Sequence, residues 1–342
     1  MSDIPSLDWL TTRGSHFDIG LALGRRGRAA VRDQLRHTAL WQRIVTLADS
    51  PAVARMRAYT AHRFPRVMAE LNGLAEGLAL PLDDVFAWHC RGELLAGAPE
   101  GCTTLLLPGE TPILAHNEDG LPCLDGTAFL VHAMPDDQPA FLSFCYPGSL
   151  PGHTFAMTDA GLVQTVNNLR LTGLEPEVPR MVLGRATLAQ PSVTAALERL
   201  EAAPACAGFH FGLARLGEPD LTSVEFGAGQ ACHRPVSAPQ LHANHALYHP
   251  AMEAGQVITR SSRDRQHRGE ALLAEGERDP LAILRDGGLP IFRRSPDDPD
   301  DENTLATVCF RLLPDDILWE VHAPGQATPR RGSLQTLFGN DD

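Results

Sequence analysis

From Cys102 onward the chain breaks into short apolar runs, and this change of texture constrains the fold more than any other feature. "CTTLLLP", "PILAHN", "TAFLVHAM", "PAFLSFCY", "HTFAMT" and "GLVQTVNN" follow one another with Gly, Pro and Asp turns between them. Runs of that length bounded by turn residues read as strands in antiparallel succession. A helix is expected at "SVTAALERLEAA", with Ser192 as its N-cap. Strands resume at "GFHFGLARL", "LTSVEFG" and "ACHRPV". The stretch "RSSRDRQHRGEALLAE" is expected to be helical, capped by Ser261 or Ser262, and "TLATVCFRLL" and "DILWEVHAP" form late strands before a loose acidic end. Upstream of residue 102 apolar residues recur three and four apart, so the first third reads as helical. The fold class is therefore α+β with stacked sheets, not the alternating order of a parallel fold.

The formal charge of −13, from 29 basic and 42 acidic residues, disfavours nucleic acid and anionic membrane as partners, because both demand a basic face. No apolar run reaches 18 residues, and "MSDIPSLDWLTTRGSHF" has neither a basic start nor an apolar core, so a cytoplasmic protein is expected. Seven scattered cysteines show no CxxC or zinc-finger spacing and read as reduced thiols. His242, His245 and His249 invite a metal reading, but no Cys or acidic residue joins them before Glu253, and no metal is expected. "SPDDPDDEN" (295–303) reads as a solvated loop. "GLALGRRGR" lacks the preceding strand and the GK[ST] ending of a phosphate loop.

Cys102 raises a chemical question of its own. A nucleophilic thiol needs a nearby base, and His116 lies fourteen residues further on, across a turn. One base can be made locally. If the Gly101–Cys102 bond breaks, Cys102 acquires an α-amine titrating at about 7.7 to 8.0, close to working pH. Gly101, without a Cβ, permits the strained backbone that brings the thiol onto the preceding carbonyl. On these residues alone, strand packing of a buried thiol is the plainer reading.

The order of motifs along the chain adds a resemblance. "GCTT" (101–104) after a helical third resembles the processing site of the acyl-coenzyme A:6-aminopenicillanic acid acyltransferase family, which are N-terminal-nucleophile hydrolases of peptidase family C45. "GLAEGLALPLDDVFAWHCRGEL" (73–94), "AHNED" (115–119), "DAGLVQTVNNL" (159–169), "LHANHAL" (241–247) and "SSRDRQHRGEALL" (261–273) are similar to further family segments, in family order.

The resemblance implies a four-layer αββα sandwich made as a precursor that cuts itself between Gly101 and Cys102. A helical 1–101 segment and a catalytic 102–342 segment would stay associated as one structural domain. The implied partners are a small-molecule amide and the chain's own cleaved segment, with a homo-oligomer left open. Cys102 would be the nucleophile, Asp119 would position it, and Asn244 would donate to the oxyanion. Asn117, Asn167 or Asn168, and Arg265 or Arg268, would contact substrate. The implied activity is cysteine amidohydrolysis of a linear amide in a small N-acyl amine, such as a β-alanyl amine, through an acyl-thioester and without a cofactor. Acyl transfer from coenzyme A, with "SRDRQHR" as a phosphate-binding cluster, is one alternative, and an unprocessed binding protein is another. The chain departs from the family at one point. Where an Arg should precede the late strand, Asn303 or Thr304 stands, which leaves Asp119 without its expected partner.

Overall fold

The structure is a computed structural model and describes residues 7–97, 100–218, 220–250 and 255–339. Glu253 and the acidic end at 340–342 lie outside these residues. The N-terminal third holds β1 (Asp8–Gly14), α1 (His16–Asp33), α2 (Ala39–Val45), α3 (Pro51–Arg63), α4 (Pro65–Leu78), α5 (Leu82–His89) and α6 (Arg91–Leu94). There follow β2 (Cys102–Leu107), β3 (Ile113–Gly120), β4 (Phe129–Pro135), β5 (Phe141–Cys145), β6 (Phe155–Thr158) and β7 (Leu162–Asn168). Next come α7 (Arg180–Thr187), α8 (Val193–Glu201), β8 (Phe209–Arg215), β9 (Thr222–Gly227), β10 (Gln230–Pro235) and β11 (Gln240–His242). The last elements are α9 (Arg260–Ala274), α10 (Pro280–Leu284), β12 (Asn303–Leu312), β13 (Ile317–His322), β14 (Arg330–Ser333) and α11 (Leu334–Phe338).

An eight-stranded sheet runs β1-β4-β5-β6-β7-β8-β9-β10, and a six-stranded sheet runs β11-β2-β3-β12-β13-β14. The sheets face one another where β2 and β3 meet β7 and β8. α1 and α8 cover the outer side of the larger sheet, and α9 and α10 cover that of the smaller one. This is the expected helix–sheet–sheet–helix stack. The main core lies between the larger sheet, its helices and the facing strands. A second cluster joins Leu105 of β2, Ala115 of β3 and Cys309 of β12 to Leu272 and Ile283 of α9 and α10.

Two expectations need correction. Segment 1–101 is not helical throughout, because β1 pairs in parallel with β4, from Asp8 opposite Phe129 to Gly14 opposite Pro135. β1 is an edge strand with no fully buried residue, so its sequence carries little apolar alternation to read. α9 begins at Arg260 and is capped by Thr259, whose hydroxyl accepts from Ser262 N at 3.1 Å. Ser261 and Ser262 therefore sit inside the first turn, where their hydroxyls serve neighbouring groups.

"GLALG" and "GLAEG" have a packing role. A Cβ on Gly20 would overlap the Glu70 carbonyl, and one on Gly77 would come within 2.7 Å of the Gly24 Cα. The glycines thus allow α1 and α4 to cross with their backbones in contact, a close approach that larger residues forbid.

Candidate active site

The β2–β3 ladder pairs Cys102 with Glu118, Thr103 with Asn117 and Thr104 with His116. Because successive strand residues point to opposite faces, this register sorts the site into two sides. Cys102, Thr104, His116 and Glu118 face the larger sheet, where Thr104 Oγ1 reaches Thr165 and Asn167 on β7. Thr103, Asn117 and Asp119 face the helical layer, where Arg265 of α9 reaches Thr103 Oγ1 at 3.0 Å.

The Gly101–Cys102 peptide is held on both of its polar atoms. The Gly101 carbonyl oxygen accepts from Asp119 N at 2.8 Å, and Cys102 N–H donates to Asn244 Oδ1 at 2.9 Å. The Asn244 side-chain amide N–H donates to the Asn168 carbonyl at 3.1 Å, which fixes the amide's orientation. Arg265 donates to Asn244 Oδ1 at 2.6 Å and to the Cys102 carbonyl at 2.5 Å. Asn244 sits in the loop after β11, and that loop is fastened by Glu225. The Glu225 carboxylate accepts from the backbone N–H groups of Leu247, Tyr248 and His249 and pairs with His242 Nε2 at 2.8 Å. In this arrangement Asn244 offers an acceptor to the Cys102 nitrogen, whereas sequence reasoning expected a donor to an oxyanion.

Gly101 is not among the residues of positive φ, so conformational strain does not require it. Space does. A Cβ at this position would overlap Arg293 Nη1 and lie 2.6 Å from Glu302 Oε2.

Asp119 has cationic partners that the sequence did not reveal. Its Oδ1 accepts from Thr304 Oγ1 at 2.7 Å. Its Oδ2 lies 3.6 Å from Arg293 and 4.0 Å from Arg265, within ion-pair range but hydrogen-bonded to neither. Thr304 thus occupies the register position opposite Asp119, and the charge comes from Arg293, eleven residues earlier in the chain. Burial raises the Asp119 acid, with Arg293 and Arg265 opposing it. "SPDDPDDEN" is correspondingly not a simple solvated loop: Asp298 and Glu302 are buried, and both pair with Arg293.

The thiol's closest acidic neighbour was also missed. Cys102 Sγ donates to Glu118 Oε2 at 3.8 Å, His116 Nε2 lies 3.0 Å from the same oxygen, and Tyr146 OH donates to Glu118 Oε1. Burial above all pushes the thiol well above its ordinary range, so Cys102 is protonated in the intact chain. Burial likewise pushes Glu118 well up and His116 down to about 3. The signal was available as hairpin arithmetic: a turn near residue 110 places position 102 against 118 and 104 against 116. Cys102, His116 and Glu118 offer ligand atoms within 4.8 Å of one another, so among the described residues they are the set that could hold a metal ion. A metal there would occupy the thiol itself.

The remaining expected residues separate. Asn168 Nδ2 reaches the Glu100 carbonyl at 3.4 Å, beside the Gly101–Cys102 peptide. Asn167 belongs to the intersheet network with Thr104 and His210. Asn117 is not at the thiol; it faces away, donating to the Leu284 carbonyl at 2.7 Å and accepting from Thr307, and so ties α10 to β3. Arg265 is in the site and Arg268 is not, being paired with Asp286 at 2.7 Å. "SRDRQHR" (262–268) does not form one basic cluster, since Arg265 points inward to Cys102 and Asn244 while Arg268 holds Asp286.

Residues 106–325 match the sequence model of a family described as acyl-coenzyme A:6-aminopenicillanic acid acyl-transferase. The matched span begins four residues after Cys102. The chain is 29% identical over 261 residues to the beta-alanyl-dopamine/carcinine hydrolase of Drosophila melanogaster. That alignment covers 67% of this chain and 64% of the fly protein, so the chain spans a little under two thirds of that relative's length. Among solved structures it is similar to a mutant of conjugated bile acid hydrolase from Clostridium perfringens, with a TM-score of 0.47 and 13% identity, over 70% of this chain and 95% of that one. Among the described residues, no helix is long and apolar enough to cross a membrane.

Proposed function

Because the chain belongs to the acyl-coenzyme A:6-aminopenicillanic acid acyl-transferase family, we propose that it is a self-cleaving cysteine amidohydrolase that releases an amine from a small N-acyl amine. The observation that carries this reading is the presentation of the Gly101–Cys102 bond, with a backbone donor on its carbonyl oxygen, an acceptor on its N–H and a thiol on the residue that follows. The fly relative's named activity supports an N-acyl amine as the substrate class. Seven unpaired cysteines support a cytoplasmic setting.

In the first stage the Cys102 thiol attacks the Gly101 carbonyl carbon. The C–N bond to Cys102 breaks as the thiol proton passes to the departing nitrogen, which leaves a thioester and a free α-amine. Water hydrolyses the thioester, giving a Gly101 carboxylate and the mature Cys102. The thiol of the intact chain is held protonated, so this stage depends on a scarce thiolate and occurs once. The segment upstream of the cut stays bound through β1 in the larger sheet and the α1–α4 crossing.

In the second stage the new α-amine accepts the thiol proton as Cys102 attacks the substrate carbonyl. Asn244 Oδ1, which accepts the Cys102 N–H before the cut, accepts from the amine after it and aims its lone pair at the thiol. Asp119 N–H, already on a carbonyl oxygen at this position, stabilises the oxyanion. The amine leaves with the proton from the α-ammonium, and water then releases the carboxylic acid and restores the thiol.

Intact-mass measurement combined with an amine-release assay tests the reading. A fragment beginning at Cys102 is expected from the parent and not from Cys102→Ala. A parent chain that stays whole and releases no amine from any N-acyl amine overturns it.

A further inference from the structure

Six arginines are buried among the described residues: Arg91, Arg170, Arg180, Arg185, Arg265 and Arg293. Five have a carboxylate within 4.0 Å, namely Glu100, Glu70 or Asp119 and its neighbours. Among the described residues Arg170, 3% exposed, has no carboxylate that close, although Glu302, Asp300 and Glu100 are near enough to act on it, and its Nε and Nη1 have no hydrogen-bond partner. Its side chain makes a single hydrogen bond, from Nη2 to the carbonyl oxygen of Glu100 at 3.3 Å. An unpaired buried guanidinium is costly, and an anion arriving beside it would offset that cost.

The position of that contact defines the anion. Glu100 is one residue before Gly101, and its carbonyl carbon is separated from the Gly101 carbonyl carbon by two atoms, the Gly101 nitrogen and Cα. Asn168 Nδ2 supplies a second donor to the same oxygen at 3.4 Å. The same thiol attacks both the Gly101 carbonyl and the substrate carbonyl, so the upstream segment marks out the room available to an acyl group. We propose that, once the bond is cut and the segment withdraws from the thiol, Arg170 and Asn168 bind a carboxylate on the substrate's acyl chain. Two carbons separate that carboxylate from the scissile carbonyl, as in a succinyl amide. The acyl group is unbranched at its α-carbon, because a Cβ at residue 101 would overlap Arg293. Two donors converge on this point, so a terminal ammonium is disfavoured there. The inference rests on the amidohydrolase reading and specifies its acyl group.

The experiment uses the processed full-length protein and amides of one chromogenic amine carrying succinyl, 2-methylsuccinyl, butyryl or β-alanyl groups. The succinyl amide is expected to have the highest kcat/KM, by roughly tenfold to a hundredfold over butyryl and mostly through KM, with the 2-methylsuccinyl amide poorly cleaved. Arg170→Gln should erase the preference for succinyl over butyryl, and Arg170→Lys should retain part of it. Calorimetry with succinate reads the same site without turnover: binding is expected in the parent and lost in Arg170→Gln. Equal or better cleavage of butyryl or β-alanyl amides overturns the proposal, as does absence of succinate binding to the processed parent. Succinate binding without any amide hydrolysis would uphold Arg170 and sink the amidohydrolase reading. A chain that never cuts leaves Glu100 in the site and overturns both.

Discussion

Glu118 stands directly opposite Cys102 in the β2–β3 ladder, with its Oε2 3.8 Å from the thiol sulfur. The protonation of this acid is fixed by a residue that touches neither group. Asn167 Nδ2 donates to the His242 carbonyl at 3.0 Å, so Asn167 Oδ1 is left as a pure acceptor. Thr104 must then donate its hydroxyl proton to Asn167 Oδ1, at 2.5 Å, and accept from His116 Nδ1 at 2.9 Å. That leaves His116 Nε2 bare, and the proton it accepts comes from Glu118 Oε2 at 3.0 Å. Glu118 is therefore a neutral acid, in agreement with the upward push that burial gives it.

This polarity predicts that Glu118→Gln is nearly silent in stability, because the amide N–H replaces the acid proton on His116 and the amide oxygen still accepts from Tyr146. The expected change is within about 1 kcal/mol, whereas Glu118→Ala strands buried His116 Nε2, Tyr146 keeping the Asp119 carbonyl at 2.9 Å, and costs about 1 to 3 kcal/mol. Chemical denaturation measures both. A glutamine variant as unstable as the alanine variant would mean that Glu118 is ionised.

Gly101→Ala tests the space at the cut. The methyl group cannot be placed without displacing Arg293, which is itself locked between Asp298 and Glu302. The expected cost is about 1 to 3 kcal/mol, together with a sharp slowing of self-cleavage as the carbonyl leaves Asp119 N–H. Thermal melting and intact mass report the two effects separately. Unchanged melting would show that the Arg293 cluster is softer than its burial implies.

The glycine crossing gives a purely structural prediction. Gly24→Val introduces a branched side chain where even a Cβ would overlap the Leu74 carbonyl, so α1 and α4 must separate. A loss of about 1 to 4 °C in Tm is expected, because overpacking of this kind costs about 1 to 3 kcal/mol and one kcal/mol moves Tm by about 1.4 °C in a chain of 342 residues. Differential scanning calorimetry checks it. A variant that melts with the parent would show that the helices are not in backbone contact.

The order of most strands and helices, and Cys102, Asp119 and Asn244 as candidates, were legible because strands and short motifs are local in sequence. The charge partners of Asp119 were not. Arg293 reaches it from a loop whose Asp-rich composition reads as solvated, and only the closed fold shows Asp298 and Glu302 turned inward to hold that arginine. Arg170 was illegible for a related reason. What distinguishes it is that, among the described residues, no carboxylate comes within 4.0 Å of this buried guanidinium, and no local pattern records an absence of that kind. Glu118 lay in plain view within "HNED", but its role follows from hairpin register and not from its neighbours in the chain.

Glu302 supplies a pH dependence whose sign can be worked out. Burial raises its acid from the ordinary 4.5 to about 7, against the pull of Arg293. The folded state therefore binds this proton more tightly than the unfolded state does. Its contribution favours folding at low pH and is lost as pH rises from about 4.5 through about 7, a span worth ~3 kcal/mol at 1.36 kcal/mol per pH unit. Buried histidines such as His89 and His116, held down to about 3, act in the opposite sense and lose stability as pH falls below about 6.5. The parent's total profile mixes these effects, and subtraction of a Glu302→Gln profile isolates one of them. Between about pH 5 and pH 8 the parent should lose stability relative to Glu302→Gln, by about 3 kcal/mol at most, whatever the variant's absolute stability. Denaturation midpoints across that range measure the difference, and parallel profiles would show that Glu302 is ionised throughout, held so by Arg293.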